Sequence, residues 1–506
     1  MKKYERLSAL DAQFLYWDSV DTPMNMGNVC VFEGKPFFDR KGVFKLGEVR
    51  RALASRLHLV PRYRKKIMLL PGNVAHPVLV DDADFDIANH VRVIKASAPG
   101  GDEQLKEAFG RVHEGMLDRS RPLWEICFVE GLSGGRVGMI QKIHHAPYDG
   151  QSTVDVLERL MDTSPKYEPA EAPPFDPIPA PGHLKVYADN LVHQAGLAWS
   201  ALVSGPNAPL LKPARWFELA QALGALTDLP RPPDTSLNRP LGPRRRFDWV
   251  ATTLADVKRM RSLVPGATLN DVMLACIAGG IRALMISRGE AIEKAEVRVF
   301  IPVSLRAENE RDAEGGNRIS GFVAPLPAAE PNALERLRLI QATTAKFKKG
   351  KQPLGIHLVG QWVEFLPAPL LKAGAPSVAK KPLWQNLTVT NVQGPRQTLY
   401  LMGAKMLELN PMVPLGCQLS LNFAVESYVD DLRIGLSSDG DLLPDLKVAK
   451  SGIEQALRDL LSVASGAPAP AAAKTAKATP TAKPVQAVKA SPARTRVRPS
   501  VSAVPK

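Results

Sequence analysis

The chain has 506 residues, of which 45% are apolar and 23% are charged, close to the usage of ordinary globular proteins. This length exceeds what one hydrophobic core usually serves, so we expect two domains of about 200 residues each. The net charge is +14, but residues 466–506 hold eight Lys or Arg and no Asp or Glu, which leaves +6 for the rest. Because that basic segment contains no aromatic residue, the charge argues against a nucleic-acid-binding protein.

The cysteines and the first residues indicate the compartment. The four cysteines are spaced about a hundred or more residues apart, as Cys30, Cys127, Cys276 and Cys417. This spacing lacks the close pairs of a zinc site or a CxxC redox motif, so we interpret them as buried thiols in a reducing environment. The opening MKKYERLSAL is charged and precedes no long apolar run, so no signal peptide is predicted. We therefore expect a cytoplasmic protein.

Two stretches of the N-terminal part repeat apolar residues at helical spacing. The first stretch consists of Val49, Leu53, Leu57 and Val60, and the second of Leu105, Phe109, Val112 and Met116. Both patterns predict helices with one apolar face.

The segment 137–162, VGMIQKIHHAPYDGQSTVDVLERLMD, is the most informative part of the chain. A strand is predicted up to Ile143, followed by the loop HHAPYDG and by a helix with Ser152 as its N-cap. Two histidines, His144 and His145, therefore lie at the end of a strand, where active-site groups are commonly held.

A histidine with an ordinary pKa near 6.5 can accept a proton at neutral pH, and a positioned base typically contributes about 10²- to 10⁴-fold in rate. The loop contains no Ser or Cys nucleophile. Direct attack by a bound acceptor, without a covalent enzyme intermediate, is then the simpler mechanism. Asp149 could orient an imidazole or could tie the loop to a neighbouring Arg or to the backbone, and we favour the second role.

Proline-rich stretches between residues 165 and 235 predict a linker that contains helical segments. Apolar residues recur there at helical spacing, as Leu191, Ala195, Ala198, Trp199 and Leu202. Polar residues and two prolines within 191–211 argue against a membrane-spanning helix. The helix could lie on a membrane or over a hydrophobic groove, or it could pack across the domain junction.

The C-terminal part combines one long apolar helix with several strands. Thr268 is the predicted N-cap of a helix whose apolar run extends from Val272 to Met285, and Asp271 fits the first turn of that helix. Asn270 could cap and pack, or its amide could stabilise a tetrahedral oxyanion. Alternating apolar residues predict strands at 297–303, 419–425 and 432–436, the last two joined by an Asp430-Asp431 turn.

Beyond residue 462 the composition changes to Ala, Pro, Lys, Thr and Val without periodicity. Such a composition cannot bury a core, so residues 463–506 are predicted to be a disordered tail. Its positive charge could attract anionic lipid headgroups.

The complete HHxxxDG spacing is far more specific than a pair of histidines. It is the signature of chloramphenicol-acetyltransferase-like acyltransferases and of peptide-synthetase condensation domains, which this chain resembles. In that pattern the second histidine is the base, which falls on His145, and the first, His144, has a supporting role.

The chain is further similar to the bacterial wax ester synthase/diacylglycerol acyltransferase family. The similar blocks are LSALDAQFLYWDSVDTPMNMGNVCVFEG, PLWE, LNRPLGPRRRF, TLNDVMLACIAGGIRALM, IPVSLR, GGNRISGFVAPLP, NLTVTNVQGP and LNFAVESYVDDLRIGL. The resemblance covers roughly residues 4–462. Two features depart from the family pattern: the bulky Pro147 and Tyr148 stand inside the histidine motif, where they could narrow the channel, and the basic tail is not part of the family core.

The resemblance implies an α/β fold of two chloramphenicol-acetyltransferase-like sandwich domains with the active site at their interface. We expect an N-terminal acyltransferase domain at 1–164, the linker at 165–235, a C-terminal acyltransferase domain at 236–462 and the tail at 463–506.

The resemblance also implies an O-acyltransferase whose catalytic residues are His145, His144, Asp149 and Asn270. The donor would be a long-chain acyl-CoA as co-substrate, and the acceptor diacylglycerol, a fatty alcohol, or both, with no metal or other cofactor. We expect a peripheral association with membranes or lipid droplets and no nucleic-acid partner. The alternatives are an acyltransferase or condensation enzyme acting on a non-lipid acceptor, and a non-catalytic lipid-droplet coat protein.

Overall fold

The computed structural model describes residues 4–203, 232–293, 295–304, 319–349, 363–364, 366–379 and 384–466. These residues belong to one compact unit that extends from Met1 to Ala469. They form a mixed α/β structure, as the sequence predicts.

The strands and helices follow in chain order. The strands are β1 (Glu5–Arg6), β2 (Asn25–Glu33), β3 (Lys65–Met68), β4 (Val78–Asp81), β5 (Val91–Lys95), β6 (Trp124–Leu132), β7 (Arg136–His144), β8 (Arg245–Thr253), β9 (Arg298–Ser304), β10 (Ile319–Pro325), β11 (Leu387–Val392), β12 (Tyr400–Leu401), β13 (Ala404–Met412), β14 (Leu421–Tyr428) and β15 (Asp431–Asp439). The α-helices are α1 (Ala9–Trp17), α2 (Leu46–Ala54), α3 (Asp102–Glu114), α4 (Gly150–Leu160), α5 (His183–Val203), α6 (Leu254–Arg261), α7 (Leu269–Ser287), α8 (Ala333–Lys349), α9 (Ala368–Ala379) and α10 (Leu446–Ala464).

Within the described residues the strands form two six-stranded sheets and one three-stranded sheet. The N-terminal sheet has the order β12-β13-β2-β7-β6-β5, the C-terminal sheet the order β10-β9-β11-β14-β15-β8, and the small sheet the order β1-β4-β3. Strand β13 comes from the second half of the chain but pairs antiparallel with β2, with Leu409 opposite Cys30. The second half therefore completes the sheet that carries the histidine loop.

Helices pack on the N-terminal sheet as the apolar spacing predicts. Val49 and Leu53 are buried on α2, and Leu105, Phe109 and Val112 are buried on α3. Met116 does not continue α3, because the helix ends at Glu114 and Gly115 has extended backbone angles. Leu57 and Val60 are also buried but lie in 3₁₀ turns, since Pro61 follows Val60 and the α-helix has already ended.

The C-terminal sheet is covered by α7 and α10, and its strands lie close to the predicted ones. β14 and β15 form a hairpin in which Tyr428 pairs with Asp431. The turn is therefore Val429-Asp430, one residue earlier than expected, and Val429 adopts a positive φ of 53° there. The start of α7 is as predicted: Thr268 is the N-cap and forms a capping box with Asp271.

The predicted linker helix is α5. Val186 in its first turns is buried against the small sheet, whereas Leu191 and Trp199 are 70% and 66% exposed. Ala198 and Leu202 lie among the side chains that are not described. One helix of the described part, α7, is long and apolar enough to cross a membrane, but 72% of it is buried inside the protein, as in a core helix.

Candidate active site

The histidine loop connects β7 to α4. β7 extends one residue beyond the predicted Ile143 and ends at His144, which pairs with Asn25 of β2. The helix begins at Gly150, so its N-cap is Asp149 and not the predicted Ser152. Asp149 Oδ1 accepts hydrogen bonds from the Ser152 amide at 2.9 Å and the Ser152 hydroxyl at 2.7 Å. The Ser152 amide is in the first turn and has no partner inside the helix, so the Asp149 carboxylate supplies its hydrogen-bond acceptor.

His144 is buried and faces a set of charged groups. Its Nδ1 accepts a hydrogen bond from the Ala146 amide at 3.0 Å, so Nε2 is the ring nitrogen that can donate towards Asp18. Nε2 lies 3.4 Å from Asp18 Oδ2, longer than a strong hydrogen bond but within electrostatic contact. His144 therefore connects Asp18 to the backbone of the histidine loop.

Asp18 is the centre of this charged group, and its side chain is 1% exposed. Its carboxylate accepts hydrogen bonds from Arg119 at 2.8 Å and from the Met24 amide at 2.9 Å. Burial alone would raise the pKa of Asp18, but His144, Arg119 and the Met24 amide together hold it below the ordinary value. The carboxylate is therefore ionised and paired at neutral pH.

His145 follows the last residue of β7 and lies in the turn that begins the loop. Its ring stacks on Phe14 with centroids 4.0 Å apart and an angle of 13° between the planes. Burial lowers the pKa of His145 to about 4, whereas its own backbone and the carboxylates of Asp149 and Asp11 act in the raising direction. The imidazole is thus uncharged at neutral pH, and nearby carboxylates favour the cation that would form on proton transfer.

The middle of the loop is also fixed. Arg62 donates a hydrogen bond to the Pro147 carbonyl at 2.8 Å and pairs with Glu5. Tyr148 is buried and meets Tyr63 edge to face, with centroids 5.5 Å apart. The bulk of Tyr148 is thus packed against the N-terminal core.

Residues from the second half of the chain reach this loop. A Cβ placed on Gly150 would lie 3.2 Å from the Val392 side chain at the end of β11. The Ala9 amide, at the start of the helix that carries Phe14, donates to Glu364 at 2.8 Å. The histidine loop therefore lies where the two halves of the chain meet, as the fold prediction requires.

Asn270 occupies the second position of α7. Its amide oxygen is buried and has no hydrogen-bond partner in the part of the chain that the structure describes. The neighbouring Asp271 is fully used by the helix start, since it accepts from the Thr268 amide at 2.7 Å and from the Thr344 hydroxyl at 2.7 Å. Capping therefore explains Asp271 and leaves Asn270 without a structural bond. No described contact joins Asn270 to the histidine loop.

Sequence reasoning missed two residues that hold the loop, Phe14 and Asp18, and did not predict that Arg62 contacts the loop. The first two lie four residues apart, which is the spacing that places side chains on one face of a helix. That signal was present in LDAQFLYWDS but does not reveal what the face contacts. The basic run at 62–66 is partnered by Glu5, Asp81, Asp82 and the Phe175 ring, so these side chains are not freely solvated.

Glu426 on β14 is a further residue without a sequence signal. It is 3% exposed, and its Oε1 has no hydrogen-bond partner among the described residues. Burial raises the pKa of Glu426 to about 8, so the carboxyl is largely neutral at pH 7.

The described residues contain neither a cluster of metal ligands nor a serine nucleophile elbow. No group of three or more His, Cys, Asp or Glu is arranged there to hold a metal ion. The run Gly131 to Gly135, GLSGG, has the letters of a serine nucleophile motif but forms the turn between β6 and β7. A nucleophile elbow needs a strand-to-helix turn, which this is not.

Comparisons with known proteins agree with this architecture. The wax ester synthase/diacylglycerol acyltransferase catalytic domain model matches residues 7–273, and the C-terminal domain model of the same family matches residues 315–461. A Mycobacterium tuberculosis protein named "probable diacylglycerol O-acyltransferase" is 31% identical over 463 residues, covering 90% of this chain and 96% of its own. Fold and motif thus define an acyltransferase. The chain belongs to the wax ester synthase/diacylglycerol acyltransferase family, which confirms the resemblance found in the sequence.

Two solved structures share the fold. The wax ester synthase/diacylglycerol acyltransferase from Marinobacter aquaeolei VT8 superposes with a TM-score of 0.63 at 23% identity, covering 91% of this chain and all of that chain. The starter condensation domain of rhizomide synthetase superposes with a TM-score of 0.53 at 14% identity, covering 92% and 95%. Both confirm the predicted two-domain α/β architecture.

Proposed function

We propose that this acyltransferase moves a long-chain acyl group from acyl-CoA to the hydroxyl of diacylglycerol, of a fatty alcohol, or of both, with His145 as the general base. The observation that carries the proposal is the uncharged imidazole of His145 at a strand end where both halves of the chain meet. The names of the relatives support the choice of acceptor, and the acyl-CoA donor is the one that the family resemblance implies.

The chemistry requires one proton acceptor and one site for negative charge. The imidazole of His145 accepts the hydroxyl proton while the alcohol oxygen attacks the thioester carbonyl carbon. The tetrahedral oxyanion then collapses, the C–S bond breaks, and the departing thiolate takes the proton back from the imidazolium. Products are an ester and a free thiol.

The low pKa of His145 has two effects on this step. It keeps the ring unprotonated throughout the neutral range, but it also makes the ring a weaker base. The carboxylates of Asp149 and Asp11 act in the opposite direction and stabilise the imidazolium as it forms. Asp149 thus supports the base electrostatically while it caps α4, whereas His144 supports it through the loop backbone.

Asn270 is the proposed source of oxyanion stabilisation. An amide hydrogen bond to the developing charge is typically worth about 10²- to 10³-fold in rate. The donor for such a bond is the Nδ2 group of Asn270. The Oδ1 atom is an acceptor that is buried without a partner among the described residues, which indicates only that the helix start does not use this side chain.

The exposed face of α5 supports peripheral membrane or lipid-droplet association of a cytoplasmic protein. Leu184, Leu191, Val192 and Trp199 are all at least 66% exposed on one helix. An apolar helical surface of this kind can lie in the headgroup region of a bilayer without crossing it. Vesicle flotation tests this part, and a chain that stays in the aqueous fraction even with anionic vesicles would disprove it.

The activity is tested by incubating the full chain with radiolabelled palmitoyl-CoA and, separately, diacylglycerol, hexadecanol or a primary amine. Thin-layer chromatography should show triacylglycerol or wax ester and no amide. His145→Ala should reduce the rate by about 10²- to 10⁴-fold.

His76→Asn is the matched control, because His76 is another histidine whose pKa burial lowers to about 4, and its described contacts are with Tyr16 and not with the histidine loop. It should retain the wild-type rate. Amide as the main product would favour the condensation alternative, and an unaltered rate in His145→Ala would refute the assigned base.

A further inference from the structure

The helix α1 contacts both histidines of the loop, one with each of two side chains. Phe14 stacks on the His145 ring, and Asp18, at the C-cap of the same helix, lies against His144 Nε2. Residues four positions apart lie on the same face of a helix, so one helix face presents an apolar ring to one histidine and a carboxylate to the other.

Asp18 is also connected to the backbone on each side of His145. Its Oδ1 accepts from the Met24 amide, and the Met24 carbonyl accepts from the His145 amide at 2.9 Å. On the other side, Asp18 contacts His144, whose Nδ1 accepts from the Ala146 amide. One carboxylate thus fixes the peptide groups at positions 145 and 146.

Arg119 holds this carboxylate in place. The guanidinium donates to Asp18 Oδ2 at 2.8 Å and to the Leu15 carbonyl at 3.0 Å, so it joins the side chain to the end of α1. The other end of α1 is fixed by the Ser8–Asp11 capping box and by Glu364, which accepts from the Ala9 amide. The helix therefore has a defined position before any substrate binds.

From this geometry we propose that Phe14 and Asp18 are positioning residues, which together set the place and ring orientation of His145 through α1. The inference rests on the proposed function, because it concerns the base assigned there. Neither residue takes part in proton transfer. Phe14 restricts the ring from one face, and Asp18 fixes the backbone from which the ring projects.

A displaced base lowers the chemical rate without weakening substrate binding, since a misplacement of about 1 Å can cost roughly 10²-fold. Phe14→Leu and Asp18→Asn should each lower kcat by about 10- to 100-fold while KM for acyl-CoA and for the alcohol changes less than about threefold. Phe14→Tyr keeps the aromatic ring and should restore most of kcat.

A double-mutant cycle with His145→Ala separates positioning from general damage. If the two residues act through His145, they should not lower the residual rate of His145→Ala further. An equal loss in both backgrounds would overturn the proposal. A wild-type kcat in Phe14→Leu and Asp18→Asn would also overturn it while leaving the proposed function intact, whereas an active His145→Ala would remove the function proposal itself.

Two variants provide matched controls. Tyr16 is an aromatic residue of the same helix whose hydroxyl contacts His76 and not His145, so Tyr16→Leu should retain kcat. Asp118→Asn removes an exposed carboxylate beside Arg119 and should do the same. Thermal unfolding is recorded for every variant. If Asp18→Asn does not fold, the Phe14 variants decide the question alone, because failure of Phe14→Tyr to restore kcat would refute the stacking role.

Discussion

Each half of the molecule contains a helix whose first turn is stabilised by an aspartate, Asp149 in α4 and Asp271 in α7. Asp149 caps α4 through Ser152, and Asp271 closes the capping box of α7 with Thr268. At each helix start a residue nearby in sequence is the candidate for chemistry, His145 in the first case and Asn270 in the second. The two candidates differ in how they are held. The ring of His145 is stacked on an aromatic residue, whereas the amide oxygen of Asn270 has no partner in the described structure.

At each of the two helix starts, the aspartate has a structural role and a nearby residue is the candidate for chemistry. An aspartate at a helix start is explained by the unpaired amides of the first turn. No capping contact explains Asn270, whose Oδ1 is buried without a partner among the described residues, as are the Oδ1 atoms of Asn25 and Asn410. The predictions below test this division.

The largest effect is expected for Asn270→Ala. Loss of the amide should reduce kcat by about 10²- to 10³-fold with little change in the free energy of unfolding, since no described hydrogen bond is lost. The rate is measured with palmitoyl-CoA and the better lipid acceptor. Leu269→Ala, one position earlier on the same helix, is the control and should stay within a fewfold of wild type. A normal rate in Asn270→Ala would assign that residue to packing.

The second effect concerns stability at the two helix starts. Asp271 is 1% exposed and accepts bonds from Thr268 and Thr344, so Asp271→Ala should lower the free energy of unfolding by about 2–4 kcal/mol. Asp149→Ala removes a more exposed cap and should cost about 1 kcal/mol. Urea denaturation of both variants provides the comparison. An equal loss at the two sites would show that burial does not set the difference.

The last prediction is a pH dependence of stability with opposite sign in the two halves. His76, His113 and His145 have pKa values lowered by burial to about 4, 3 and 4, so the unfolded chain binds protons that the folded chain does not as pH falls below 6.5. Stability contributed by these neutral histidines is therefore lost between about pH 6.5 and 3.

Glu426 has the opposite effect, because its pKa is raised to about 8. Above pH 4.5 the unfolded chain releases this proton while the folded chain keeps it, so stability falls as pH rises towards 8. Glu426→Gln should gain about 1–3 kcal/mol over wild type at pH 8 and almost nothing at pH 5. Urea unfolding at both pH values measures the gain, with Glu454→Gln on α10 as the control. A gain independent of pH would mean that the carboxyl is not neutral in the folded protein.

Much of the fold could be predicted because local patterns agree with the final structure. Thr268 and Asp271 are a capping box in sequence and in space, and the alternating residues of β9, β14 and β15 face a core as expected. Errors occurred where backbone geometry decides. Ser152 was predicted as an N-cap although Asp149 starts α4 three residues earlier, and the hairpin turn is Val429-Asp430, one residue ahead of the prediction. Ser and Asp are both good N-caps, and Asp is common in turns, so residue type alone does not decide which of several nearby positions caps the helix or forms the turn.

The candidate site, like the fold, could be predicted from the sequence only in part. The sequence by itself determined the class of protein through its resemblance to a known family. It also determined the histidine pair at a strand end and the start of α7 at Thr268, because spacing along the chain specifies which side chains share a strand end or a helix face. Only the tertiary structure decided what surrounds them. The contact of Phe14 with His145, of Asp18 with His144 and of Val392 with Gly150 joins residues from about 120 to 240 positions apart, and such contacts follow from how elements pack and not from any local pattern. The lowered pKa of His145 likewise arises from burial by distant residues, so the sequence could name a candidate base but could not give its state of charge.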